Sequence, residues 1–185
     1  MKKILAIVGS PRIGGNTDIL VQKVAEGAVS KGARVNTLHL GKVNIHECDG
    51  CHICWQGKSC SKHDDMLDIC SAIIENDAVV FGTPVYWYGP TALMKALIDR
   101  LVYFNCPENR AKIRGKQAAI VIPFEEENPE TAKPVVDFFV KCLDYLEMQL
   151  VNAIIVSGVS AKGDVLKKPD RLKESFELGK HLAQI

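Results

Sequence analysis

The sequence contains no apolar run approaching the ~20 residues required to cross a bilayer, so no membrane-spanning segment is expected. Its charges are balanced, with 23 Lys and Arg against 22 Asp and Glu and a formal net charge of +1. A balanced surface lacks the field that draws a protein to nucleic acid or to an anionic membrane. The apolar residues 4–8 follow Met1-Lys2-Lys3 but are too few for a secretion signal. We therefore expect a cytoplasmic protein that binds neither nucleic acid nor membrane.

Familiar catalytic signatures are also missing. There is no Ser/His/Asp set and no carboxylate pair at a suggestive spacing, so no side chain is predicted to act as a general acid or base. Gly9 and Gly14 have the spacing of a P-loop, but Gly15 and Asn16 stand where its Lys and Ser/Thr belong. The GxGxxG dinucleotide pattern is absent as well. Triphosphate hydrolysis is therefore not expected.

The composition is that of an ordinary folded domain, with 47% hydrophobic and 24% charged residues in 185. Such a chain is neither apolar-poor nor highly charged, which excludes a disordered protein. At this length roughly 70% of the unfolded surface is buried on folding. We find no repeat, low-complexity tract or linker, and we expect residues 1–185 to form a single domain.

Strand and helix patterns alternate from end to end. Short apolar runs predict strands over 3–9, 34–40, 78–83, 117–122 and 151–156. Helical spacing predicts helices from about 17 to a stop at Gly32, over 64–76, from Pro90 onward, over 131–147 and over 170–183. This pattern predicts an α/β fold with a doubly wound five-stranded parallel sheet and helices on both faces. Ligands then bind at the carboxyl ends of the strands, where the strand order reverses.

The loop after the first strand has the features of a phosphate site. It contains glycines, a following helix N-terminus whose free N–H groups attract anions, and polar side chains at Ser10, Arg12, Asn16 and Thr17. One terminal phosphate held in this way suits a mononucleotide such as FMN. The alternative is a plain strand-to-helix turn.

The loop after the third strand carries three consecutive aromatic residues, Tyr86, Trp87 and Tyr88. An isoalloxazine ring needs flat apolar walls and backbone donors, and this loop can supply both. The alternative is an aromatic plug that covers the sheet.

Cysteine is unusually clustered. Four of the seven cysteines lie within thirteen residues, in a cysteine-rich loop at 46–63: Cys48, Cys51, Cys54 and Cys60. Without a secretion signal, such spacing indicates metal or redox chemistry rather than a disulfide framework. Four thiolates in this pattern can hold a [4Fe–4S] cluster. Zinc, with His52 or His63 completing the set, and a metal-free loop are the alternatives. The scattered Cys70, Cys106 and Cys142 are interpreted as small core residues.

The two flavin loops resemble a known family. The segments Gly9-Ser10-Pro11-Arg12-x-x-Gly15-Asn16-Thr17 and Pro84-Val85-Tyr86-Trp87 are similar to the flavin signatures of the NADPH-dependent FMN reductases, which have a flavodoxin-like fold. The four clustered cysteines followed by Asp64-Asp65-Met66 resemble the iron–sulfur flavoproteins of anaerobes within that family. The likeness extends over nearly the whole chain.

The resemblance implies which residues bind the flavin. Ser10, Arg12, Gly15, Asn16 and Thr17 would hold the FMN phosphate, and the ring would be lined by Pro84, Val85, Tyr86, Trp87 and Gly89. One segment departs from the family. Where many members have a Gly-rich third flavin loop, residues 123–128 carry three glutamates, which would weaken binding of nicotinamide-cofactor phosphates.

The sequence thus predicts an FMN-dependent redox protein whose catalytic group is the flavin itself. A cluster on Cys48, Cys51, Cys54 and Cys60 would let it relay electrons between a reduced donor, either ferredoxin or NAD(P)H, and an acceptor. The alternative is a cluster-free NAD(P)H-dependent reductase of quinones, flavins or other small acceptors. A homodimer or homotetramer is expected, because a flavin at the strand ends beside exposed aromatics leaves apolar surface to cover.

Overall fold

A computed structural model describes residues 1–184 of the chain, in which five parallel strands form one sheet. The strands are β1 (Lys3–Val8), β2 (Arg34–His39), β3 (Ala78–Gly82), β4 (Gln117–Pro123) and β5 (Gln149–Val156). They lie in the order β2-β1-β3-β4-β5, and each pair of neighbours is parallel. The predicted doubly wound α/β architecture is confirmed, with the strand order reversing beside β1.

Helices cover both faces of the sheet. They are α1 (Asn16–Ser30), α2 (Met66–Glu75), α3 (Ala92–Arg100), the single turn α4 (Pro107–Arg110), α5 (Lys133–Tyr145) and α6 (Pro169–Leu182). One core lies between the sheet and α2, α3 and α5, and the other lies between the sheet and α1 and α6. Within residues 1–184, no helix is long and apolar enough to span a membrane.

The start of α3 differs from the prediction. Pro90 is not its first residue. The helix begins at Ala92, and Thr91 caps it by accepting a hydrogen bond from the Met94 N–H at 3.1 Å. The same hydroxyl donates to the Gly9 carbonyl at 2.6 Å, so it also joins α3 to the end of β1. The Thr91 hydroxyl accepts a hydrogen bond from a free N–H of the first helical turn, which a proline side chain cannot do. This explains why the helix begins at Ala92 rather than at Pro90.

The helix predicted over 131–147 is shorter at both ends. A 3-10 turn, Pro129–Ala132, precedes α5, and Pro134 lies in the first turn, where its missing N–H does no harm. At the other end Glu147 has a φ of 58°, a left-handed conformation that stops the helix. The sequence prediction also missed α4, which is too short to show helical spacing.

Two glycines allow α1 and α6 to cross in close contact. A Cβ on Gly179 would collide with the Val24 carbonyl oxygen, and one on Gly27 would collide with the Phe176 carbonyl oxygen. Both obstacles are helix backbone, which cannot rotate aside.

We expect Gly179→Ala to lower the free energy of unfolding by about 2–3 kcal/mol, because overpacking costs about 1–3 kcal/mol and a backbone collision belongs at the upper end. Gly41→Ala is the control, since a Cβ there would meet its nearest neighbours at an ordinary 3.9 Å. Urea unfolding of both variants checks this. Equal midpoints would contradict the close crossing.

Candidate functional site

The loops that follow β1, β3, β4 and β5 surround one pocket, which we call the strand-end pocket. Its walls are Ser10, Arg12, Gly15, Asn16, Thr17, Pro84, Val85, Tyr86, Pro123, Phe124, Glu125, Val159, Ser160 and Lys162. Eight of the ten residues predicted to bind a cofactor are among them, whereas Trp87 and Gly89 lie beyond this wall. The topology therefore brings the two flavin loops together, as a doubly wound sheet requires.

The loop between β1 and α1 delivers a helix N-terminus to the pocket. Gly14 adopts a φ of 67° and its N–H donates to the Asp18 carboxylate at 2.7 Å. Ser10 is buried and its hydroxyl oxygen accepts a hydrogen bond from the Arg12 N–H at 3.2 Å. Gly15 is the N-cap, and no side chain in the described chain caps this helix. The first N–H groups of α1 are thus available to an anion.

Lys162, which sequence reasoning missed, adds a positive charge to this loop. A Cβ at Gly14 would lie 3.2 Å from the Lys162 ammonium nitrogen, so the lysine covers the glycine turn. A cation from the loop after β5 therefore lies beside the glycine turn, in the wall of the strand-end pocket. The signal was present, because every loop at the carboxyl edge of the sheet can reach the same pocket.

Asn16 and Arg12 hold the loop after β5 in place. The Asn16 amide donates to the Ala161 carbonyl at 2.9 Å, and its oxygen accepts from the Val165 N–H at 3.2 Å. The Arg12 guanidinium donates to the Ser160 carbonyl at 3.2 Å, which uses one of its five N–H donors. Both side chains line the pocket and also position Lys162.

The aromatic loop turns through two strained residues. Tyr86 and Gly89 exchange backbone hydrogen bonds of 2.8 and 3.0 Å, while Trp87 and Tyr88 have φ values of 49° and 59°. Left-handed backbone costs a residue with a side chain roughly 1–2 kcal/mol. This turn leaves Trp87 97% exposed. Strain of this kind is concentrated at functional sites.

The acidic loop after β4 is tied to the loop after β5. Phe124 donates its N–H to Val156 and accepts from Val159, both at 2.9 Å, and Gly158 donates to Glu126 at 3.0 Å. Glu125 reaches the strand-end pocket and also forms, with Trp87, part of a neighbouring cleft. A carboxylate therefore lies in the segment that the resemblance gives as glycine-rich in many family members, and its charge would oppose an anionic group on that side of the pocket.

The cysteine-rich loop forms a second pocket, which we call the cysteine pocket. It is lined by Cys48, Asp49, Gly50, Cys51, His52, Cys54, Trp55, Cys60, Lys62, Met66, Leu67, Cys70, Arg100, Val102 and Tyr103. All four clustered cysteines lie in this wall and all are free thiols. Burial raises the pKa of Cys54, and the neighbouring Cys60, Cys48 and Cys51 raise it further. The four clustered cysteines therefore line the same pocket.

Cys70 and Cys106 are buried, as predicted for core residues, and Cys142 is half-buried. Burial raises the pKa of Cys70 to about 12. Cys70 also forms part of the cysteine pocket's wall, a position that its place in the sequence did not predict.

A buried ion pair closes the cysteine-rich loop. The Arg100 guanidinium contacts the Asp64 carboxylate at 2.6 and 3.0 Å, and the His46 N–H donates to Asp64 at 2.9 Å. Burial alone would raise the pKa of Asp64, but the hydrogen bonds from Arg100, His46 and Met66 lower it to about 2. Asp64 is thus a carboxylate at all physiological pH values.

The metal alternatives differ in geometry. Within residues 1–184, no three His, Cys, Asp or Glu side chains converge closely enough to hold a single metal ion. Zinc draws four ligands to about 2.3 Å and packs them into a small tetrahedron. The ligands of a four-iron cube stand on separate corners and lie further apart. Four cysteines line the cysteine pocket, but the described residues are not arranged as a preassembled metal site.

The NADPH-dependent FMN reductase family has a sequence profile that matches residues 2–158. The chain belongs to this family. The family is named for the NADPH-dependent reduction of FMN, and one of the relatives described below is named as an NAD(P)H-dependent FMN-containing oxidoreductase. This membership confirms the resemblance seen in the two flavin loops.

Curated relatives fall into two groups. An iron–sulfur flavoprotein of Archaeoglobus fulgidus is 30% identical over 66% of this chain and 54% of its own length, and another from that organism is 41% identical over 53% and 48%. The FMN reductase-family chain therefore spans about half the length of these relatives. YwqN of Bacillus subtilis, named as an NAD(P)H-dependent FMN-containing oxidoreductase, is 28% identical over 95% of this chain and 96% of its own.

Solved structures support the flavodoxin-like fold of this FMN reductase-family chain. A flavodoxin from the domain Archaea superimposes with a TM-score of 0.61 at 16% identity, over 100% of this chain and 97% of that one. An NAD(P)H:quinone oxidoreductase from Methanothermobacter marburgensis has a TM-score of 0.74 at 14% identity, over 98% of each chain. At these identities the similarity concerns the fold.

Proposed function

We propose that this chain is an electron-relay flavoprotein that binds FMN in the strand-end pocket and a [4Fe–4S] cluster in the cysteine pocket. The main support for this proposal is that two separate pockets are present. The flavin loops line one of them, and the other is lined by Cys48, Cys51, Cys54 and Cys60. Bound FMN exchanges electrons in pairs or singly and a cluster exchanges them singly, so together they would connect two-electron and one-electron partners.

The residues of the strand-end pocket have distinct tasks in this proposal. The first turn of α1, the Ser10 hydroxyl, the buried Thr17 and Lys162 bind the FMN phosphate. Pro84, Val85 and Tyr86 provide the flat wall against the ring. Asn16 and Arg12 keep Lys162 over the phosphate by holding the loop after β5.

In this proposal the cysteine pocket would provide four thiolate ligands, of which Cys54 is buried while Cys48 and Cys60 are half-buried. Met66, Leu67, Val102 and Tyr103 give it an apolar lining, although Cys51 is exposed. Iron–sulfur clusters require thiolate ligands, and partial exposure would make this one sensitive to oxygen. A cytoplasmic location, where thiols stay reduced, belongs to the same proposal.

The second candidate is a cluster-free NAD(P)H-dependent reductase. It is favoured by YwqN, which matches the chain over nearly its full length and whose name mentions FMN and no cluster. Glu125 and Glu126 argue against it, because they line the strand-end pocket or the cleft beside it, where NAD(P)H phosphates would approach. A ferredoxin as electron donor fits the relay, and a small acceptor fits the reductase.

Cofactor analysis of protein purified without oxygen separates the two candidates. The relay predicts about four irons, four sulfides and one FMN per chain, with flavin and iron–sulfide absorption bands together. Protein with one FMN and no iron, prepared from anaerobically grown cells, would support the reductase and contradict the relay. Protein without flavin would contradict both.

We also propose that the chain forms at least a dimer through the aromatic turn. Trp87 is almost fully exposed and Tyr88 is 57% exposed on a strained backbone, which is an unfavourable arrangement without a covering partner. Light scattering should therefore show at least twice the 20.4 kDa chain mass.

Trp87→Ser should shift this species toward the monomer. Val29→Ser is the control, because Val29 is also exposed but lies at the far end of α1. A 20 kDa species for the unmodified protein at micromolar concentration would contradict the oligomer.

A further inference from the structure

Arg100 lies in the wall of the cysteine pocket, and its side chain is almost completely buried. Its side chain is 2% exposed and that of its partner Asp64 is 0% exposed. A buried ion pair seldom adds net stability compared with apolar residues of the same volume. Its presence here therefore calls for a further role, and the remaining contacts of Arg100 indicate one.

The guanidinium of Arg100 joins both ends of the cysteine-rich loop. One nitrogen, Nη1, donates to the His46 carbonyl at 2.8 Å and to Asp64 at 2.6 Å. These two residues flank the four cysteines in the sequence, so a single side chain on α3 fixes the start and the end of the loop. Asp64 in turn accepts the His46 N–H, which completes a closed ring of contacts.

The other nitrogen, Nη2, donates to the sulfur of Cys60 at 3.3 Å and to Asp64 at 3.0 Å. Hydrogen bonds to cysteine sulfur are among the factors that set the potential of an iron–sulfur cluster. A reduced cluster places more negative charge on its sulfur ligands, so a donor stabilises the reduced form more than the oxidised one. The bond from Arg100 would therefore raise the reduction potential.

We propose that Arg100 is the positioning residue of the cysteine pocket and raises the potential of a cluster bound there through Cys60. The effect on the potential rests on the proposed cluster, whereas the positioning role concerns only the conformation of the cysteine-rich loop. Lysine could not replace this arginine, because a planar guanidinium presents several donors at fixed angles and an ammonium is a single point.

The test compares unmodified protein with Arg100→Lys and with the double variant Asp64→Asn/Arg100→Gln. The double variant removes both charges together, so neither is left buried alone, and it provides a folded comparison should Arg100→Lys be unstable. Arg114→Lys is the matched control, since Arg114 pairs with Glu147 on the surface away from the cysteine pocket. Two measurements are made, a redox titration of the cluster signal and backbone hydrogen exchange over residues 46–64 of the metal-free protein.

We expect both Arg100 variants to lower the midpoint potential and to speed exchange in the loop, while Arg114→Lys changes neither. An unchanged potential in iron-loaded Arg100→Lys and in the double variant would overturn the proposal. Iron-free unmodified protein would contradict the proposed function instead. In that case unchanged loop exchange in the variants would overturn the positioning role by itself, and faster exchange would support it.

Discussion

Replacing Cys54 by Ala should remove most of the iron from anaerobically purified protein and leave one FMN per chain. Cys54 is the buried member of the four cysteines, and its Sγ lies 3.8 Å from the Val102 carbonyl oxygen at the base of the pocket. Alanine provides no ligand, and a cube held by three thiolates would be more open to solvent. The same loss is expected for Ala at Cys48, Cys51 or Cys60. Iron, sulfide and flavin assays on the same sample measure it.

Cys70→Ala is the sharpest control for this prediction. Cys70 lies in the wall of the same pocket, yet it belongs to α2 and is packed in the core beneath the loop. The Cys70→Ala protein should therefore retain its iron, and so should the Cys106→Ala and Cys142→Ala proteins. Iron that survives in all four single variants of the clustered cysteines would show that the ligand assignment is wrong.

Changing Arg12 and Asn16 together to Ala should weaken FMN binding at least about 30-fold. Each removes a hydrogen bond worth about 1–3 kcal/mol, directly at the phosphate or through the loop that carries Lys162. Lys162→Met should weaken binding in the same direction, because it removes the cation beside Gly14. Titration of the metal-free protein with FMN, followed by flavin fluorescence, gives the affinities.

Riboflavin separates a phosphate effect from general damage to the pocket, since it has the same ring and no phosphate. The variants should lose affinity for FMN and retain that for riboflavin. Lys173→Met, on the exposed side of α6, should change neither. Wild-type FMN affinity in the double variant would show that the phosphate assignment is wrong.

The doubly wound parallel sheet, the two flavin loops and the cysteine-rich loop could be predicted from the sequence because they depend on local patterns. Alternation of apolar runs and helical spacing leaves few topologies for five parallel strands, and the two flavin loops follow β1 and β3 wherever the rest of the chain goes. The cysteine spacing is equally local. Each of these features is contained in a short stretch of sequence.

The features that the sequence did not predict depend on contacts between distant segments. Lys162 reaches Gly14 only because Asn16 accepts the N–H of Val165, a residue 149 positions away. In the sequence Arg100 is an ordinary arginine in the last turn of a helix, and nothing near it in the chain indicates its partners. Only the folded structure shows that it contacts Cys60 and Asp64. The start of α3 differs from the prediction because the Thr91 hydroxyl also donates a hydrogen bond to the carbonyl of Gly9, a residue 82 positions away.

Helix α3 sets the distance between the two pockets. Its N-cap, Thr91, is bonded to the Gly9 carbonyl at the end of β1, beside the strand-end pocket, and its last residue, Arg100, lies in the cysteine pocket. At about 1.5 Å per residue it is a rigid spacer of about 14 Å, and each residue also turns the helix by about 100°. One inserted residue would therefore swing Arg100 away from Asp64 as well as lengthen the gap. Insertions should be tolerated in the surface loops, but the length of α3 itself should be invariant wherever both pockets are in use.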